Sequence, residues 1–422
     1  MRTIMCILIS VLLVATLLSG CVESGDAATD GYDDVTLGAL LPLTGNLESI
    51  GEASQASLKL AIEDRNNYVS NLGSQTRVDV VVKDTESDPE TALEKLKELD
   101  EMGIKVVIGP QSSSEAKAVL DYANENGIIL LSTASTAPSL AIPDDNLFRL
   151  VSDDTNQGRA LARLMKEDGV TTVIPVYVND IWGNELSAEV QKSFETLNGT
   201  VLEGVTYESG DTGLSAEIEA LNENVVDATS ESDETSVAVL LCSYGEVTEI
   251  FNLASDYPAL SDVRWYGTDG VALDRELVNN ESAASFAEST DFKASIYGYV
   301  LANDGYQAVE PRIEKELGRR PDPYGLTVYD ALWIGTFIEM NTVSDDSESA
   351  QLATFGLTDR YYGINGAVKL NENGDRQYWD YDIWTITEEN GKYQWVRSCK
   401  ILLPYGDNLM IMSGEQIDVF SN

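Results

Sequence analysis

The stretch from Lys105 to Asn126 constrains the fold of this chain more than any other. Lys105-Val106-Val107-Ile108 is short, β-branched and without helical period, so it reads as a buried strand. Glu115 to Asn126 places Ala116, Val119, Leu120 and Ala123 at helical spacing. The turn between them, Gly109-Pro110-Gln111-Ser112-Ser113-Ser114, therefore joins the C-terminal end of a strand to the N-terminus of a helix. In an open α/β sheet that junction is where a ligand crevice lies. A helix N-terminus carries unpaired N–H groups and partial positive charge, which suit a carboxylate or another anion. The consecutive serines add hydroxyls there; equally, one of them can simply cap the helix.

The same alternation runs on both sides of this stretch. Val35 to Leu41 is a strand leading into Pro42-Leu43-Thr44-Gly45, and Gly51 opens a helix with Ala56, Leu60, Ala61 and Tyr68 on its inner side. Arg77 to Val82 is a second strand, and Asp88-Pro89-Glu90 starts a helix that Gly103 stops. Ile128 to Leu131 is the next strand, ending in Ser132-Thr133-Ala134-Ser135-Thr136-Ala137-Pro138. This order implies a parallel, doubly wound sheet with right-handed crossovers. A second cycle begins with a helix from Asp154 to Lys166 and a strand from Thr172 to Val178. A helix over Asn184 to Leu197 follows, then strands at Val201 to Tyr207, Val237 to Cys242, Arg264 to Gly267 and Ser295 to Leu301. Helices begin at about Ser215 and Glu246; Asn222 to Thr235 contains an acidic, serine-rich patch and ends in an exposed loop, and acidic Ser344 to Glu348 is exposed. Tyr306 to Leu317 and Tyr329 to Met340 are helical, whereas Tyr378 to Ile386 and Tyr393 to Ile401 read as antiparallel strands. The expectation is an α/β protein of two doubly wound, parallel-sheet lobes.

Composition removes whole classes of function. The 71 acidic residues outnumber the 27 basic ones, for a formal charge of −44, so the surface repels nucleic acid and anionic lipid. Histidine is absent, which excludes Ser-His-Asp and Cys-His catalysis and His-ligated zinc. No motif places a carboxylate pair for catalysis; Asp33/Asp34 and Asp153/Asp154 read as solvated or capping residues. No enzyme activity, cofactor or metal is expected.

At the N-terminus, Arg2 precedes an apolar run from Ile4 to Leu18, short for a membrane span and suited to a secretory signal. Leu18-Ser19-Gly20-Cys21 resembles a lipoprotein lipobox, which implies a signal peptide over 1–20 and lipid on Cys21. Residues 21–34 read as a flexible, acidic tether. Cys242 and Cys399 are left in the mature chain and could pair outside the cell.

Taken together, these segments resemble the branched-chain amino-acid-type substrate-binding proteins of ABC transporters, with their type I periplasmic-binding fold. The resemblance rests on Leu37 to Gly45 with Gly51, on Val107-Ile108-Gly109-Pro110 with Ser112 to Ser114, and on Ser132 to Pro138. Tyr266-Gly267-Thr268-Asp269-Gly270 and Gly363 to Gly366 with Asn373-Gly374-Asp375 complete it. It implies two lobes joined by three crossovers, near Val151-Ser152, Val300-Leu301 and Tyr362-Gly363. The first lobe would take 35–151 and 302–361, and the second 152–301 and 362–422.

It also implies a site between the lobes. Ser113 would give a hydroxyl and N–H, Ala134 a main-chain group, and Thr136 a hydroxyl and N–H to a ligand carboxylate. Asp269 would hold the ammonium, and Trp182, Tyr244 and Tyr324 would form aromatic walls, with Trp182 where the family usually has tyrosine. Tryptophan offers a cation–π face but no hydroxyl, and Ile50 stands where an aromatic can cover the side-chain pocket. From the residues alone, Thr136 can equally be an ST-turn or cap, Asp269 a turn residue, and the aromatics core. The family implies a monomer that captures an amino acid or a related small polar molecule and hands it to a permease. A sensory ectodomain on the same fold is the alternative.

Overall fold

The structure, a computed structural model, describes residues 34–210, 213–231, 233–341, 347–377, 379–402 and 410–413. The signal, Cys21 and nearly all of the tether lie outside the described residues, as does most of Ser344 to Glu348.

The first sheet is built from β1 (Val35–Leu41), β2 (Val78–Asp84), β3 (Val106–Ile108), β4 (Ile129–Ser132) and β5 (Leu147–Arg149), in the order β2-β1-β3-β4-β5. Every pairing in it is parallel. Its inner strands are buried on both faces, so β3 and β4 read as unbroken apolar runs rather than alternating ones. Local chemistry sets the helix ends. Asp88 accepts the Thr91 N–H at 2.7 Å and Pro89 occupies the first turn of helix Pro89–Glu101, while Gly103, at φ +80°, ends it. Gly51 has a steric role: a Cβ there would lie 1.9 Å from the Pro42 carbonyl oxygen, so helix Glu48–Asn71 could not approach the turn after β1.

The second sheet carries β6 (Thr172–Val178), β7 (Thr200–Val201), β8 (Val205–Tyr207), β9 (Val237–Cys242), β10 (Arg264–Gly267) and β11 (Lys293–Tyr297). After a short hairpin, β12 (Tyr362–Gly363) with β13 (Gly366–Ala367), it is extended by β14 (Tyr381–Glu389), β15 (Lys392–Leu402) and β16 (Met410–Ser413). The order is β16-β15-β14-β11-β10-β9-β6-β7, with β8 also on β6; β14 joins β11 antiparallel and the rest of the tail follows antiparallel.

The chain crosses between lobes three times. It leaves the first sheet after β5 and enters helix Asp154–Glu167, which packs against helix Ile181–Thr196. After β11 it returns through helix Asp304–Leu317 to helix Pro323–Asn341, which packs on helix Glu48–Asn71 and on β1 and β3. That helix is buried almost all round, which explains its lack of amphipathic period. The third crossing runs from helix Ser347–Thr358 to β14. A buried ion pair ties the first crossing to the third: Arg149 Nε lies 2.5 Å from Asp375 Oδ1, and both side chains are shielded from solvent.

Three expectations needed correction, whereas the helix expected from about Ser215 is present. It spans Ser215–Glu231, with Ile218, Leu221 and Val225 buried on one face, and residues 233–235 beyond it are exposed. The strand expected over Val201 to Tyr207 breaks into β7 and β8, and the one expected to reach Leu301 stops at Tyr297. Tyr68 is 52% exposed; its ring packs edge-on against Trp333 rather than entering the core. Cys242 and Cys399 are both free thiols. They sit on β9 and β15 with three strands between, roughly 19 Å apart at the usual strand spacing and far beyond disulfide reach.

Candidate functional site

The turn after β3 meets the turn after β4 at the edge of the first sheet. Gly109 has φ +99°, and a Cβ there would lie 2.2 Å from the Leu40 carbonyl oxygen, so only glycine lets the turn pass this close. Of the adjacent serines, Ser112 takes the capping role: its Oγ accepts the Glu115 N–H at 3.1 Å, and its own N–H donates to Glu115 Oε2 at 3.1 Å. Ser113 is thereby left for the site. Its Oγ accepts the N–H groups of Thr136 and Ala137, each at 3.1 Å, which locks the two turns together. Ser132 steadies the same corner, donating to the Pro110 carbonyl at 2.7 Å.

Thr136 donates its hydroxyl to Asp154 Oδ2 at 2.8 Å, and the Asp154 N–H donates to the Thr136 carbonyl at 2.9 Å. Asp154 is wholly buried at the start of helix Asp154–Glu167, whereas its neighbour Asp153 caps that helix at Thr155 N. Of the two carboxylates read as solvated or capping, only Asp153 behaves so. From the second lobe, Asp269 follows β10 and accepts the Tyr324 hydroxyl, which comes from helix Pro323–Asn341. Trp182 and Tyr244 stack with centroids 4.6 Å apart and planes at 22°. The Tyr244 hydroxyl donates to Asp180 at 2.9 Å, and Ser114 of the first lobe reaches the same carboxylate at 3.3 Å.

Ser113, Ala134, Trp182, Tyr244, Asp269 and Tyr324 line one shared pocket, with Ile50 also in its wall. Thr136 is joined to it through Ser113 and Asp154. Gln111 lines the pocket as well and was not singled out from the sequence. The lobes are drawn together around it, and the space left is only about 20 Å³, room for water rather than for an amino acid. Contacts across the lips hold this closed arrangement. Arg275 makes two bonds to Glu52, at 2.9 and 2.8 Å; Asn46 reaches Ser209 at 2.7 Å; and the Ser139 N–H donates to Glu185 at 2.9 Å.

The electrostatics are one-sided. Burial, then the nearby Asp269 carboxylate, pushes Asp154 well above the ordinary carboxylate range. Burial raises Asp269 to about 6, against the hydrogen bonds from Tyr324 and Gln157. Among the described residues, Asp154 Oδ1, Asp269 Oδ1 and Gln111 Oε1 are buried without a partner. Orphaned acceptors of this kind are expensive unless a donor arrives. A group carrying several N–H donors and a positive charge, such as an ammonium, would suit Asp269 and Gln111, which both line the pocket. The Ser113 hydroxyl lies at the N-terminus of helix Ser113–Asn126, a place that suits an anionic group, whereas Thr136 gives its N–H to Ser113 and its hydroxyl to Asp154.

The sequence held one signal for Asp154. Asp154, Gln157, Leu161 and Met165 repeat at helical spacing, and all four are buried, so Asp154 heads the inward stripe of its helix. Among the described residues there is no cluster of histidine, cysteine and carboxylate groups able to hold a metal. Nor is any described helix long and apolar enough to cross a membrane.

Comparison with known proteins gives the chain its relatives. The family described as "Receptor family ligand binding region" matches residues 53–389. An uncharacterized protein of Methanocaldococcus jannaschii is 27% identical over 409 residues, covering 91% of this chain and 95% of its own. The leucine-, isoleucine-, valine-, threonine- and alanine-binding protein of Pseudomonas aeruginosa is 26% identical, over 83% of this chain and 90% of its own. Among solved structures, the branched-chain amino acid transporter substrate-binding protein LivJ of Streptococcus pneumoniae, in complex with isoleucine, superposes with a TM-score of 0.69. That match has 19% identity and covers 86% of this chain and all of the other, which establishes the shared type I periplasmic-binding fold.

Proposed function

The chain belongs to the family of receptor ligand-binding regions, and on that footing we propose that it is an extracytoplasmic solute-binding protein for an ABC permease. Its ligand is an amino acid or a close zwitterionic relative, held between the lobes. Ser113, Ala134 and Thr136 hold the carboxylate; Asp269, with Asp154, holds the ammonium; Trp182, Tyr244 and Tyr324 wall the site. The lobes take 35–151 with 302–361 and 152–301 with 362–422, and lipid on Cys21 anchors the protein to the outer face of the membrane. The observation that carries this reading is the meeting of Ser113 and Thr136 with two buried carboxylates, Asp154 and Asp269, around orphaned acceptor oxygens.

Because each lobe holds one end of the ligand, binding favours the closed form, which is the form a permease would recognise. Exclusion of water strengthens each charged hydrogen bond. A thermal-shift screen of amino acids, amides, short acids and sugars tests the reading. Stabilisation by amino acids or their relatives supports it, and stabilisation by sugars alone refutes it. A second reading, a sensory ectodomain, is favoured by the family's description as a receptor ligand-binding region. It predicts a signalling partner in place of a permease, which pull-down of the liganded protein from its own membranes would separate.

A further inference from the structure

A cavity of about 470 Å³ lies away from the cleft, between β11 and the strands of the tail. Its walls include the chain just after β11 and the hairpin β12–β13, so it abuts the second and third crossings. Its size is that of a small-molecule site. Four cations line it, Lys369, Arg376, Arg397 and Lys400, although the whole chain has only 27 basic residues against 71 acidic ones. Asp380 shares the wall. Behind it, Asp382 serves two of the cations at once, 3.2 Å from Lys400 Nζ and 3.5 Å from Arg397. Lys369 reaches Asp359 at 3.7 Å on the exposed rim.

Arg376 is the telling residue. It is 5% exposed, and its terminal nitrogens donate to the carbonyls of Leu150 and Asn365 at 3.3 and 2.5 Å. Its guanidinium stacks 3.5 Å from the Trp379 ring centroid. Among the described residues no carboxylate pairs with it, and its Nε has no partner. Burial pulls its pKa down to about 9, so it stays charged at neutral pH; the Asp330 carboxylate, which makes no ion-pair contact with it, offsets the desolvation only in part, with carbonyl dipoles and a ring. The cleft is short of donors; this cavity is short of an anion.

We propose that this cavity is a second ligand site, taking a small organic anion with an apolar body, an aromatic or short-chain carboxylate. The carboxylate faces Arg376, Arg397 and Lys400, and the body lies against Val300 and Trp379. The site is independent of what the cleft binds.

Benzoate and hexanoate are the probes, with benzylamine as the cationic control. The full chain, labelled with nitrogen-15, reports through the indole N–H signals of its six tryptophans, with Trp379→Phe giving the assignment. The expected result is a saturable shift of the Trp379 signal by both acids and none by benzylamine. Combining Lys400→Gln with Arg397→Gln should weaken it by about tenfold or more, while Asp269→Asn leaves it unchanged. Ala302→Phe, at an exposed position on the rim, should weaken it too, and serves if the double variant fails to fold. Three results would each overturn the proposal: no saturation by about 20 mM acid, an equal shift with benzylamine, or a shift confined to Trp182.

Discussion

Asp269→Asn should make the ligand-free protein more stable at neutral pH while removing its preference for a ligand that carries an ammonium. In the closed cleft the Asp269 carboxyl is wholly buried beside Asp154, and its pKa rises from the ordinary 3.8 to about 6. A carboxyl raised in this way binds more protons folded than unfolded between those two values. Its contribution to stability therefore falls as pH rises from about 4 to about 6, and the deficit is complete above that window. The rise corresponds to about 3 kcal/mol, an upper bound because opening of the lobes rehydrates the carboxylate. Asparagine keeps the shape and can still accept the Tyr324 hydroxyl, but never carries the charge. The variant should match the wild type near pH 4 and exceed it by up to about 3 kcal/mol at pH 7.5. Urea unfolding of ligand-free protein at pH 4, 5.5 and 7.5 measures this. Glu115 and Asp145, both raised to about 7 by burial, and Asp330, raised to about 6, also slope the wild-type curve. The difference between variant and wild type cancels these three and reports Asp269 together with the relief of Asp154, which the Asp269 carboxylate pushes up. An Asp269→Asn protein no more stable than wild type at pH 7.5 would refute the reasoning.

Ser113→Ala leaves the buried Thr136 and Ala137 N–H groups without their acceptor. It should cost about 1–3 kcal/mol of stability in urea unfolding, together with ligand affinity. Arg149→Met strands the Asp375 carboxylate in the interior and should cost about 3–5 kcal/mol, read from the shift of the urea midpoint. Arg275→Ala removes the lip contact to Glu52, whose side chains are 38% and 33% exposed, and should cost no more than about 1 kcal/mol. Its effect should instead appear in stopped-flow release of ligand, as a faster off-rate.

Much of the fold could be read from residue order, because parallel strands buried on both faces leave unbroken apolar runs such as Val106–Ile108 and Val237–Cys242. Helix starts were legible where a side chain does the capping, as Asp88 does. What escaped depended on neighbours that the sequence does not reveal. Asp153 and Asp154 are chemically identical, and only the inward stripe with Gln157, Leu161 and Met165 separates the capping one from the buried one. The strand order put Cys242 and Cys399 out of reach of each other. In the candidate site, Ser113, Thr136 and Asp269 were singled out through resemblance, whereas Gln111 gave no signal because its place is set by its bonds to Ser54 and Thr133.

The division of labour between the lobes is tested most directly by calorimetry with a matched pair of ligands: the amino acid found in the screen and the same acid without its amino group. Wild type should prefer the amino acid. Asp269→Asn should erase that preference while still binding the des-amino acid, and Ser113→Ala should weaken both alike. If Asp269→Asn still favours the amino acid as strongly as wild type does, the second-lobe carboxylate is not what receives the ammonium, and the account fails.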